Sequence, residues 1–112
     1  MARTPPRLTV FVSRRAQRDL DHIWDYNVDF YNSADHADAY LAFLEDETAK
    51  LQTNYHLGRP VPQRIGLQHI TIRKGRGHGY VVIYEVSNET LQILRYFHTR
   101  QDWQGKTEKN DV

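Results

Sequence analysis

Residues 80–103 read YVVIYEVSNETLQILRYFHTRQDW, and this stretch decides the fold. Two runs rich in β-branched and aromatic residues, 80–86 and 90–98, flank the short polar connection Ser87-Asn88-Glu89, which suits a hairpin loop. Alternation places Tyr80, Val82, Tyr84 and Val86 on one face of the first run and Val81, Ile83 and Glu85 on the other. In the second run Leu91, Ile93, Arg95 and Phe97 share a face, opposite Gln92, Leu94, Tyr96 and His98. Apolar side chains stand on both faces, so the two runs are expected to be interior strands of a sheet covered on both sides.

Upstream of the hairpin, 67–73 (LQHITIR) is a further strand, joined to it by the glycine-rich, basic loop KGRGHG at 74–79. Residues 8–12 (LTVFV) form a short first strand, expected at a sheet edge or beside the last strand. Between these lie two helices. Ser13 is an N-cap candidate, and Ala16, Leu20, Ile23, Trp24, Asn27 and Tyr31 recur at helical spacing to about Asn32. Ser33 caps the second helix, with Ala37, Tyr40 or Leu41, Leu44, Thr48, Leu51 and Tyr55 along its stripe to about His56. So short a loop between them predicts an antiparallel helical hairpin, whose apolar stripes need a sheet to cover.

The expected fold is therefore α+β, in the order β-α-α-β-β-β, with the helical hairpin on a small antiparallel sheet. Leu20, Ile23, Trp24, Leu41, Leu44 and Leu51 should face a sheet containing Ile70, Ile72, Val82, Ile83, Tyr84, Ile93 and Phe97. At 112 residues the chain fits a single domain, with 1–7 (containing Pro5-Pro6) as a flexible leader and 104–112 as a flexible tail. Residues 58–62 (GRPVP) read as a rigid connection.

Composition narrows the class. Hydrophobic residues make up 39% and charged residues 26%, a globular balance. No apolar run approaches the ~18–20 residues of a membrane span. There is no cysteine, which excludes disulfides and thiolate metal sites and makes a cytoplasmic protein the expectation. The six histidines show no metal-ligand spacing, so neither a metal nor another cofactor is expected. The net charge of +1 conceals a division: residues 1–18 hold five basic and no acidic side chains, and 19–47 hold nine acidic and no Lys or Arg. From Gly58 onward nine basic side chains face five acidic ones. Such a division suits one face for an anionic target and another for a basic partner, or simply a solvated acidic helix face.

Tyr96 and His98 fall on the same side of one strand, ~7 Å apart. Histidine exchanges protons near neutral pH, and tyrosine can stack on a base. Arg73 closes the neighbouring strand and Arg95 points to the opposite face unless a bulge intervenes, while Arg59, Lys74, Arg76 and Arg100 stand in loops. A basic rim around a Tyr/His pair would suit RNA cleavage, with arginine holding the phosphate. The bland alternative is that Tyr96 and His98 are packed strand residues and the KGRGHG loop a hairpin tip; that loop lacks P-loop spacing.

The segments RRAQRDLDHIWDY, LGRP, GYVVIYEV and ILRYFHTRQDW, taken in order, resemble the RelE/ParE toxin superfamily of bacterial type II toxin–antitoxin systems. The resemblance covers roughly residues 8–103. It implies a small toxin neutralised by a cognate antitoxin. RelE-like members are ribosome-dependent endonucleases acting on mRNA; ParE-like members inhibit DNA gyrase. The helical hairpin, the Gly58-Arg59-Pro60 element and the His98-x-Arg100-x-Asp102 close resemble the ParE branch more. If the chain is a nuclease, His98, Tyr96, Arg73 and Arg95 are the catalytic candidates. If it is a gyrase inhibitor, Arg59, Arg73, Arg76, Arg95 and Arg100 are the target- or antitoxin-binding candidates. A third reading is a non-toxic module that only binds an antitoxin.

Overall fold

Alternating apolar side chains on two adjacent strands can bury both faces only if something covers each, and the computed structural model, which describes residues 7–108, shows two covers. The sheet has five strands: β1 (Thr9–Val12), β2 (Arg59–Pro60), β3 (Leu67–Ile72), β4 (Tyr80–Ser87) and β5 (Thr90–His98). They lie in the order β1-β5-β4-β3-β2, so the hairpin strands β4 and β5 are interior, as the sequence predicts. All neighbours are antiparallel except β1, which runs parallel to β5 in the register Thr9 to Thr90. The sheet is thus mixed, not antiparallel throughout, because β1 feeds a helix that crosses the sheet before the chain returns. β2 is a two-residue edge strand in what reads as a connection; Pro60, lacking an N–H, is tolerated at an edge.

Helix α1 (Arg14–Tyr31) begins at Ser13, whose Oγ accepts from Ala16 N at 3.0 Å and donates to the Leu94 carbonyl at 2.9 Å. One hydroxyl therefore caps the helix and satisfies the edge of β5 where β1 stops. Asn32 closes α1 with φ 51°, a left-handed conformation that asparagine tolerates. Ser33 then caps α2 (Ala34–Ala49), accepting from His36 N at 3.1 Å. The expected second helix is divided at Lys50: α3 (Leu51–Asn54) and a 3₁₀ turn (Tyr55–Leu57) continue it. Gly58 follows with extended φ, and its role is space. A Cβ there would lie 1.8 Å from the Tyr84 hydroxyl, which donates to Tyr55 O at 2.7 Å.

The helical hairpin covers one sheet face. Leu20, Ile23, Leu44 and Leu51 pack there with Ile72, Val82, Tyr84, Leu91, Ile93 and Tyr96. The other face has its own cluster, Val61, Leu67, Val81, Ile83 and Phe97, with Leu94 and Trp103 against it. Ile83 lies there by the alternation of β4, whereas Phe97, expected on the face of Leu91 and Ile93, faces the opposite way. The cause is a bulge: Tyr84 pairs with Ile93 and Ile83 with Arg95, leaving Leu94 as the extra residue. Past it the alternation of β5 inverts, so Tyr96 joins Leu91 and Ile93 while Phe97 leaves them.

Three further expectations are corrected. Trp24 is only half-buried and donates its indole N–H to Asp38 at 2.8 Å, tying α1 to α2 rather than facing the sheet. Tyr31 is exposed. Residues 104–108 of the expected tail belong to helix α4 (Trp103–Glu108), with Thr107 buried and its carbonyl accepting from Arg64. Of the expected leader at 1–7, Arg7 donates to Gln52 Oε1 at 3.0 Å; residues 1–6 and the rest of the tail, 109–112, lie outside the described residues.

Candidate binding cleft at the end of the central strands

The ends of β3, β4 and β5 meet in one row, Ile72 to Tyr80 to His98. Around that row stand the second half of α1, Tyr40 of α2, the 73–79 loop and the turn after β5, enclosing two adjoining clefts of about 400 and 470 Å³. Both share Tyr26, Tyr80, His98 and Arg100. Each lies in the ~300–1,000 Å³ range of small-ligand sites.

Arg100 organises the imidazoles. Its backbone N–H donates to His98 Nδ1 at 3.1 Å and its Nε–H to His78 Nε2 at 2.9 Å. The neutral His98 ring must then carry its proton on Nε2, and His78 carries its own on Nδ1, 3.3 Å from Thr99 Oγ1. A protonated ring has no lone pair to accept with, so both bonds require neutral histidines. Burial, then His78 and Arg100, push His98 below the ordinary imidazole pKa. Tyr80 sets its ring edge against His98, the centroids 5.3 Å apart. Burial, with Tyr40 and Tyr26 nearby, pushes the Tyr80 pKa up to about 12.

The other candidates divide. Tyr96 is buried, 4% exposed, with its hydroxyl 2.8 Å from Thr48 Oγ1, and burial raises its pKa. It forms part of the cleft wall and presents no face on which a base could stack. Arg95 is held in an ion pair with Asp19 of α1, Nε to Oδ2 at 2.8 Å and Nη2 to Oδ1 at 3.0 Å, over the Phe97 ring. Asp19 Oδ2 also accepts the Tyr96 N–H at 2.9 Å, where β1 has ended and no strand supplies a partner. Arg95 is thus a structural cation and not part of an open rim.

Arg73 and Arg76 are exposed on the 73–79 loop, Arg73 donating to Gly77 O at 2.9 Å. Arg76 lines the larger cleft with Lys74 and Arg100. Arg59 lies elsewhere, on the edge strand in the row Arg59, His69, Ile83, Arg95, three residues along the sheet from His98. Three rises place it ~10 Å along the strands and three strand spacings ~14 Å across. The structure thus gathers Arg76, His98 and Arg100 at the cleft, sets Arg73 on the loop beside it, and leaves Arg59, Arg95 and Tyr96 in other roles.

Sequence reasoning missed Tyr26, Phe30 and His78 as cleft residues. Tyr26 and Phe30 fall outside the apolar stripe of α1 at i, i+4, and that displacement was the available signal. Among the described residues, no group of three His, Asp or Glu side chains is placed to hold a metal ion, and no helix is long and apolar enough to cross a membrane.

A helical hairpin thus lies on a five-stranded mixed sheet, with a basic cleft at the strand ends. The chain superposes with a TM-score of 0.68 on a structure titled "Chromosomal ParDE TA system from P. aeruginosa", 22% identical, over 80% of this chain and 94% of that one. No curated protein matches it by sequence. Residues 10–103 match the family described as ParE toxin of type II toxin-antitoxin system, parDE, and the chain belongs to that family.

Proposed function

We propose that this ParE-family toxin acts by binding DNA gyrase and inhibiting it, and that a cognate antitoxin neutralises it. The observation that carries a binding mechanism is the state of the nuclease candidates. Tyr96 is buried on Thr48 and Arg95 is committed to Asp19, which leaves His98, whose Nε2–H stays open, without the stacking tyrosine and the Arg95 cation that the nuclease reading sets beside it. A ribosome-dependent nuclease would need such groups at the scissile phosphate. What stands open instead is a basic surface: Arg73, Arg76 and Arg100.

Gyrase supercoiling in the presence of full-length, antitoxin-free protein tests the reading. Inhibition is expected, weakened by charge reversal at Arg73, Arg76 or Arg100 and little altered by His98→Gln. Normal supercoiling at excess toxin would overturn it. Ribosome-dependent mRNA cleavage abolished by His98→Gln would establish the nuclease instead, and normal growth on induced expression would point to a non-toxic antitoxin-binding module.

A further inference from the structure

The larger cleft pairs two kinds of side chain. Lys74, Arg76 and Arg100 bring three cations to its lining, and no carboxylate lines it. Arg76 has no hydrogen-bond or ion-pair partner among the described residues, and Lys74 meets only the Phe43 ring, at 5.7 Å. Opposite them, Tyr26 and Phe30 stack on each other with centroids 5.6 Å apart and planes 20° from parallel, though 56% and 66% exposed. Exposed apolar rings grouped on one helix face, beside cations that no carboxylate neutralises, mark an interaction surface.

We infer that this cleft binds single-stranded DNA, with phosphates against Lys74, Arg76 and Arg100 and a base against the Tyr26–Phe30 pair. Cations alone would suit any polyanion; the aromatic faces beside them select a ligand that is anionic and has flat rings, which is a nucleic acid with unpaired bases. An acidic peptide satisfies the cations and leaves the rings uncovered. A duplex hides its base faces. The choice of DNA over RNA rests on the gyrase reading, because that enzyme's substrate is DNA.

The test is fluorescence anisotropy of a labelled oligodeoxythymidylate with the full chain. Binding should weaken with salt, with a slope of about −2 in log–log form for three neutralised phosphates. The doubly reversed variant Lys74→Glu/Arg76→Glu should lose roughly tenfold or more in affinity at low salt. Phe30→Ala should lose roughly tenfold for the single strand and leave any weak duplex binding unchanged. All three substitutions are on exposed or part-open positions, and circular dichroism checks that the fold is kept. Absence of salt-dependent binding, equal binding of a duplex, equal competition by polyglutamate, or preference for an oligoribonucleotide would each overturn the inference. The assay contains no gyrase, so its failure is distinguishable from failure of the gyrase reading: a protein that inhibits supercoiling and ignores the oligonucleotide refutes only the DNA cleft.

Discussion

Asp19 carries more than its share of the structure: one carboxylate holds Arg95 through both oxygens and accepts the otherwise unpaired Tyr96 N–H. Its side chain and that of Arg95 are 12% and 15% exposed, so removing one partner strands the other in a poorly hydrated place. Asp19→Ala should therefore cost about 3 kcal/mol, read as a lowered denaturation midpoint with an unchanged slope. Two rings of the cleft contribute to the pH dependence of stability, one at each end. His98 titrates lower in the folded chain than in the unfolded one, so its contribution is complete above about pH 6.5 and is lost as pH falls through the folded value. Tyr80, raised to about 12, works at the other end. Above the unfolded pKa of about 10 the unfolded chain releases this proton first, so stability falls as pH climbs from about 10 towards 12. Thermal melts across pH should show both flanks, and His98→Gln should flatten only the acidic one.

The elements differ in how openly the sequence announces them. Ser13, Asn32 and Ser33 mark the helix ends by chemistry that acts within one turn, and each stands where it was expected. Leu44, fully buried between α2 and the sheet, follows from helical periodicity alone; Leu44→Ala should cost about 2–5 kcal/mol, measurable by denaturant titration. The bulge at Leu94 has no such signature. It inserts no glycine or proline, and its effect, turning Phe97 away from the helices and Tyr96 towards them, appears only when β4 supplies a register. Helix α4 escaped notice for a related reason: its short polar sequence has no apolar stripe, and Thr107 is buried by the fold around it. The cleft was half legible. Arg76, His98 and Arg100 could be read from strand ends and loops, whereas the Arg95–Asp19 pair joins residues 76 apart and no local pattern reveals it.

At the scale of the whole molecule the charge division becomes spatial. The acidic segment at 19–47 is the helical hairpin, and the basic side chains Arg73, Arg76 and Arg100 stand at the strand ends beside it. An amphipathic, acidic antitoxin segment meeting those cations should bind more weakly as salt rises, which co-purification or calorimetry at two ionic strengths would measure. Equal affinity at both would remove electrostatics from the interface. The parallel pairing of β1 with β5 has a consequence in time. Thr9 pairs with Thr90, and Ser13 and Asp19 reach Leu94 and Tyr96, so the first strand waits for the last. At about 5–20 residues per second, the chain between them takes roughly 4–16 s to synthesise. Through that interval the nascent chain has no completed sheet, and the folded molecule arises only when nearly all of it has been made.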